Sequence, residues 1–346
     1  MNLDRIKEPN FSQFETIKSF LLGENDGRLF SQSDEIRRKV FGDDVFIRGI
    51  VEFSNHCKQN CSYCGLRAPN KEITRYRLTR EEILHCVKIG KEQGIQTIVL
   101  QSGEDPYFSD DWIAELISEI KLKYSIAITL SLGERNFKTY KLWKDAGADR
   151  YLLRIETFDR EVYENARKGH RWNDRLKCVQ MLHELGFETG SGFMVGLPGE
   201  TVDSLANSIL ELTKLNLDMI GIGPFVAHPE TPFKNQQNGN VLFSLRTLAI
   251  IRILNPLANI PSTSALESAQ KGARLTGLKV GANVIMPSLT PERVKALYNI
   301  YPGKNAVQDE TEYSLKAVRE MIREAGLRWS DSVGVSPNWL NHNQIL

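Results

Sequence analysis

Long apolar runs are missing from this 346-residue chain. None approaches the roughly 20 residues that a bilayer-crossing helix needs. The first segment, MNLDRIKEPNFSQFETIKSF, has no apolar core, so neither a membrane span nor a secretory signal is expected. Charge of one sign is missing too. Against 44 Lys and Arg stand 43 Asp and Glu, a formal net charge of +1 that makes no electrostatic case for nucleic acid or a membrane surface. Cysteine is scarce and odd in number, five in all, which is a poor basis for a disulfide framework. Such usage fits a reducing cytoplasm and a metal site, and a cytoplasmic protein is expected. The sequence also has no low-complexity segment, no short repeat, no obvious linker, and no Gly-rich phosphate turn of the doubly wound folds.

What is present is an alternation. Short apolar runs occur at VFIRGIVEF, TIVLQSG, IAITLSLGE, RYLLRIET, ETGSGFMVGL, DMIGIGPF, NIPSTSAL and ANVIMPS. Amphipathic stretches of helical length lie between most of them, with Gly94, Gly147 and Gly186 placed to close helices. Strands alternating with helices imply parallel pairing through right-handed crossovers. Eight strand candidates predict an α/β fold, a closed (β/α)8 barrel over residues 46–305. A helical N-terminal extension (1–45) and a C-terminal helical segment packed on the barrel (306–346) flank it. In such a barrel the active site lies at the carboxyl ends of the strands. The polar stretches there are the cysteine loop after the first strand, then QSGED, SLGE, RIET, GLPGET, HPET and STS.

Cys57, Cys61 and Cys64 fall within NHCKQNCSYCGLR at CxxxCxxC spacing. Structural zinc takes four ligands, usually as two pairs, and no second pair follows at fingerlike distance. Packing thiols are the other alternative, although these three stand among Lys58, Gln59, Asn60 and Ser62. A [4Fe–4S] cubane suits three thiolates on a compact loop, because one iron then stays free for an exogenous ligand.

This cysteine spacing, with Tyr63 before the last thiol, resembles the signature of the radical S-adenosylmethionine superfamily. SGED sits where that superfamily carries its Gly-Gly-Glu motif, and GFMVGLPGET is similar to its glycine segment near the adenine. Within it, the chain most resembles the FeFe-hydrogenase maturases of the biotin synthase-like group, the HydE type, from about residue 35 to about residue 304. The carriers include DEIRRKVFGDDVFIRGIVEFSNHCKQNCSYCGLR, TIVLQSGEDPY, AGADRYLLRIET, DMIGIGPFVAHPETP, GANVIMP and LYNIYPGK. The resemblance implies an enzyme with a [4Fe–4S] cluster on Cys57, Cys61 and Cys64, and S-adenosylmethionine on the free iron. It implies cofactor contacts at Tyr63, Ser102, Gly103, Glu104, Ser131, Glu156 and Arg175, and catalytic positions at Arg154 and Tyr301. Gln101 and Tyr298 would line the cavity, and Thr263 and Ser264 would bind an anion at its lower end. The implied substrate is a cysteine-bound iron complex carrying carbon monoxide and cyanide, attacked at sulfur by the adenosyl group. A one-electron reductant and maturase partner proteins are implied as well, with no nucleic acid and no membrane.

Two departures stand out. Ile155 occupies a position where some members have His, so that polar contact is absent. Some members hold a second cluster on three C-terminal cysteines, where this chain has Ala306, Ser314 and Ala317, so a second cluster is not expected. Without the resemblance, Arg175 reads as a solvated helix residue; the alternative for Glu156 is a structural partner of Arg154 or Arg175, although its place at a strand end favours a functional role. His228 is placed to line the cavity mouth, with no role assigned. Cys86 and Cys178, and Trp112, Trp143 and Trp172, fall on helical patterns and read as packing.

Overall fold

In a computed structural model of the chain, residues 11–304 and 315–343 are described. Seven strands run in the order β6-β5-β4-β3-β2-β1-β7, and every pairing is parallel. They are β1 (Asp44–Ser54), β2 (Thr97–Ser102), β3 (Ala127–Ser131), β4 (Arg150–Leu152), β5 (Glu188–Val195), β6 (Met219–Pro224) and β7 (Val284–Ile285). Nearly every residue of β1 and β5 is buried, as expected for parallel strands covered on both faces. The expected seventh stave, NIPSTSAL, does not form a continuous strand. Single parallel bridges at Met219–Asn259 and Pro261–Val284 carry the ring from β6 to β7 and close the barrel. Pro261 has no N–H to donate, and a helix begins at Ser264, so the ladder cannot extend.

Helices Arg80–Glu92, Asp110–Tyr124, Phe137–Asp145, Trp172–Glu184, Val202–Lys214 and Val241–Leu254 cover the outside, where the apolar periodicity predicts them. Thr79 and Glu82 form a capping box that starts the first of these. A short helix, Arg160–Ala166, precedes the one expected between β4 and β5. Cys86, Cys178 and Trp143 are buried on these helices, and Trp112 is partly buried against the core.

The N-terminal extension consists of helices Phe11–Leu22 and Asp26–Phe41. Arg246 joins them to the barrel, pairing with Asp26 at 2.7 Å and donating to the Leu21 carbonyl. Gly23 between the two helices has φ +93°, and any side chain there would strike the Arg246 guanidinium.

The C-terminal segment is only partly helical. Between helices Leu315–Glu324 and Pro337–Asn343 lies an unforeseen short strand, β8 (Arg328–Ser330), paired with the start of β1. The chain then crosses the amino-terminal mouth of the barrel. The Val333 carbonyl accepts from Thr97 and Arg150, and the Gly334 carbonyl accepts from Arg48 and Asn259. The Ser336 N–H donates to Glu188, and Asn338 donates to Asp218. The segment closes that end. Ala306 and Ser314 lie outside the described residues. No described helix is long and apolar enough to cross a membrane.

Candidate active site

The carboxyl ends of β1 to β6 converge on the loop that carries the three cysteines. This loop is pinned from beneath by Arg75, whose guanidinium donates to the carbonyls of Asn55, Leu66, Arg67 and Asn70. Asn55 adds bonds to the Thr74 and Leu297 carbonyls. Gly65 is required because a Cβ would collide with the Asn299 carbonyl and the His228 ring, and Gly103 because a Cβ would collide with the His56 carbonyl and Cys57. Such close backbone approach explains the glycine of the SGED motif.

All three thiols are unpaired by disulfide, Cys61 buried and the other two half-buried. Burial pushes each thiol pKa up; the Cys61 sulfur raises that of Cys57 further, and Cys61 and Cys57 together raise that of Cys64. Such crowding is what thiolates at one centre produce, and binding to cationic irons is the ordinary way to relieve it. Among the described residues no trio of His, Cys, Asp or Glu is arranged for a single metal ion. A cubane asks something different, one thiolate on each of three separate irons, so the donor set fits that group.

Around Cys61 stands a charged cluster. Glu156 follows β4 and holds φ +72°, a left-handed conformation that costs a non-glycine residue about 1 kcal/mol or more. It is fixed there by backbone bonds on both sides, its N–H to the Gly192 carbonyl and its carbonyl from the Met194 N–H. The Arg154 Nη2 lies 3.2 Å from Glu156 Oε2, an ion pair, yet neither atom has hydrogen-bond geometry, and both are buried without a partner. Arg175 is buried, 5% exposed, where composition alone suggests a solvated helix residue. It donates to the Arg154 carbonyl at 2.8 Å and to Glu134 at 2.8 Å. Tyr63 bonds to Cys61 and lies in the fields of Glu156, Arg167 and Arg175, with its own pKa driven up by burial.

A second group surrounds Glu104, which accepts from Gln59 at 2.6 Å and lies 3.9 Å from Arg135. Its Lys58-facing carbonyl accepts from the backbone of the cysteine loop at 3.0 Å, which ties SGED to NHCKQNC. Ser102 Oγ donates to the Gly103 carbonyl, and Ser131 ends β3 opposite Gln101. Gln101 in turn bonds to the buried Tyr298, which also feels Cys64. Tyr301 and Ser264 share a hydrogen bond of 2.8 Å, and Thr263 donates to the Ile222 carbonyl.

The predicted residues thus form three touching groups. Cys61, Tyr63, Arg154, Glu156 and Arg175 make one. The second centres on Glu104, with Gly103 against Cys57, and runs through Gln101 and Ser131 to Tyr298 and Cys64. Ser264 and Tyr301 form the third. Several site residues escape the sequence reading. Glu134 of SLGE accepts from both Arg175 and Arg167, and these cations oppose the burial that would raise its pKa, leaving it lowered. Arg167 carries no motif. Glu200 of GLPGET accepts the Gly196 N–H, and burial lifts its pKa to about 7. Inside the barrel Glu52 pairs with Lys304 and accepts from Ser288 and Thr290. His228 is 3% exposed, its Nδ1 accepts from the Glu230 N–H, and its Nε2 beside Gly65 is buried without a partner.

The sequence profile of the Radical SAM superfamily matches residues 51–234. The chain is 48% identical over 305 residues to the "[FeFe] hydrogenase maturase subunit HydE" of Thermotoga maritima, covering 87% of each. It is 30% identical over 260 residues to the 3-methylornithine synthase of Methanosarcina acetivorans, covering 75% of this chain and 73% of that protein. The crystal structure of methylornithine synthase (PylB) superposes with a TM-score of 0.83 at 24% identity, over 99% of both chains.

Proposed function

The chain belongs to the radical SAM superfamily and is a radical SAM enzyme; from that premise we propose that it is a maturase of the FeFe-hydrogenase active-site cluster. The observation that carries this reading is the 48% identity across 87% of both chains to the Thermotoga maritima maturase subunit, against 30% to the methylornithine synthase.

Cys57, Cys61 and Cys64 would hold one [4Fe–4S] cluster, and S-adenosylmethionine would complete the fourth iron. When bound and reduced, this pair would supply one-electron cleavage of the sulfonium carbon–sulfur bond, and the substrate would be a cysteine-bound iron complex bearing carbon monoxide and cyanide. The residues of the chain do the rest. Glu104, with Gln59 holding one carboxylate oxygen, faces the site as an acceptor for the methionine ammonium. Glu156 Oε2 and the Arg154 Nη2 are ion-paired with each other at 3.2 Å but make no hydrogen bond, and so keep hydrogen-bonding capacity for a ligand. Arg175 is locked by Glu134 and the Arg154 carbonyl, so it presents its charge without reorganising. Tyr63, Ser102, Gly103 and Ser131 line the cofactor's path. Gln101 and Tyr298, and beyond them Tyr301, Thr263 and Ser264, would line the substrate space, with Arg154 and Tyr301 nearest the reacting atoms. The C-terminal segment across the opposite mouth keeps water from entering behind them.

Two assays test the reading. Anaerobically reconstituted protein with dithionite and S-adenosylmethionine should form 5′-deoxyadenosine or an adenosylated product. A cell-free lysate that matures FeFe-hydrogenase should lose that ability when this protein is depleted and regain it on its return. Cleavage without any effect on maturation would move the reading toward the alternative, a methylornithine synthase-like mutase or a biotin synthase-like radical SAM enzyme acting on an amino acid or other small molecule.

A further inference from the structure

Two guanidiniums share one carboxylate beside Cys61. Glu134 accepts from Arg175 Nη1 at 2.8 Å and from Arg167 Nη2 at 3.1 Å, while the neighbouring Arg154 is balanced by Glu156. The count leaves one net positive charge in a buried setting. Arg167 is 3% exposed, and its Nε is buried without a hydrogen-bond partner. The Tyr163 hydroxyl is near enough to feel this cation, but neither it nor the Arg167 Nε makes a bond of acceptable geometry. The backbone brings Arg167 to the cysteine loop: the Ser62 N–H donates to the Ala166 carbonyl, and Ser62 Oγ donates to the Asn165 carbonyl, each at 2.8 Å.

We propose that Arg167, balanced by Glu134, is a positioning residue that holds up the reduction potential of the cluster at its Cys61 corner. The inference rests on the cluster reading above. Reduction adds one negative charge to a cluster in a low-dielectric site, and a fixed cation nearby favours the charged product. The electron comes from a one-electron reductant, and no bond or proton is moved by Arg167 itself. Glu134 works in the opposite sense by cancelling half of the local positive charge.

The test is a redox titration of the reconstituted full-length protein without S-adenosylmethionine, following the reduced-cluster electron paramagnetic resonance signal. Arg167→Met should make the cluster harder to reduce by about tenfold in the equilibrium constant, ~59 mV for one electron. Arg167→Lys should recover most of that shift, since it keeps the charge and loses only the fork. Glu134→Gln should shift the potential the other way. If Arg167→Met cannot be loaded with iron, the Glu134→Gln and Arg167→Lys titrations still decide. An unchanged potential in loaded Arg167→Met or Glu134→Gln would overturn the inference, as would a loss confined to S-adenosylmethionine affinity, which would place Arg167 on the cofactor carboxylate. Failure of the wild type to take up a cluster would instead overturn the functional reading beneath it.

Discussion

The two mouths of the barrel treat buried polar groups in opposite ways. At the amino-terminal mouth, Arg48, Arg150, Glu188, Asp218 and Asn259 are answered by one another and by residues 333–338 of the C-terminal segment. Of these five residues, Arg48 alone keeps a buried atom without a hydrogen-bond partner, its Nε, joined nearby by Thr129 Oγ1 and Trp329 Nε1. At the carboxyl-terminal mouth, Arg154, Glu156, Arg167, Glu200 and His228 each keep a buried polar atom unpartnered, and Glu156 is strained as well. Buried polar groups are ordinarily satisfied within the protein. One end is therefore finished by the chain itself, and we propose that ligands finish the other. Substitutions should separate accordingly, into losses of stability at the closed end and losses of chemistry at the open one.

The largest effect falls at the open end. Changing any one of Cys57, Cys61 or Cys64 to Ala should remove the iron–sulfur absorption band and all cleavage of S-adenosylmethionine, while far-ultraviolet circular dichroism stays that of the wild type. Glu156→Gly sharpens the contrast further. It should abolish cleavage, while relief of the positive φ offsets part of the cost of leaving Arg154 without its counter-charge, so unfolding stability should fall by less than at the closed end. At the closed end, Glu188→Gln strips the counter-charge from two buried guanidiniums and should cost about 3–5 kcal/mol in denaturant unfolding.

An effect of similar size concerns pH. Burial raises the Asp218 pKa to about 7 and the Glu200 pKa to about 7, above the unfolded values. The folded state then binds more protons than the unfolded one between about pH 4 and 7, so stability falls as pH rises through that window. Asp218→Asn should flatten the fall, by on the order of 4 kcal/mol between its ends. Smallest of all, Cys178→Ala on its helix should cost about 1 kcal/mol and leave the iron content unchanged. Loss of iron in that variant would blur the distinction between packing and ligand cysteines.

Much of this contrast was legible in the residues. The apolar runs located seven strands, because buried parallel strands are nearly continuous in hydrophobicity, and the polar letters after each run marked the open mouth. The cysteine spacing and RIET led to the charged cluster around Cys61. The closed mouth was not legible. Residues 330–338, SDSVGVSPN, bind through backbone carbonyls and short hydroxyls, which leave no periodic trace. Nor could spacing join Glu134 to Arg167 and Arg175, since 33 and 41 positions separate them and only the curvature of the sheet brings them together. The burial of Arg175 illustrates the same limit: one side of its helix carries a charge inward because a carboxylate waits there.

The most direct test of the central claim, that the open mouth is completed by S-adenosylmethionine on a three-cysteine cluster, is electron paramagnetic resonance of the reduced, reconstituted protein. Adding S-adenosylmethionine with an isotopically labelled carboxylate should change the cluster signal and introduce a hyperfine coupling to the label. A cluster signal that ignores the cofactor would contradict the account.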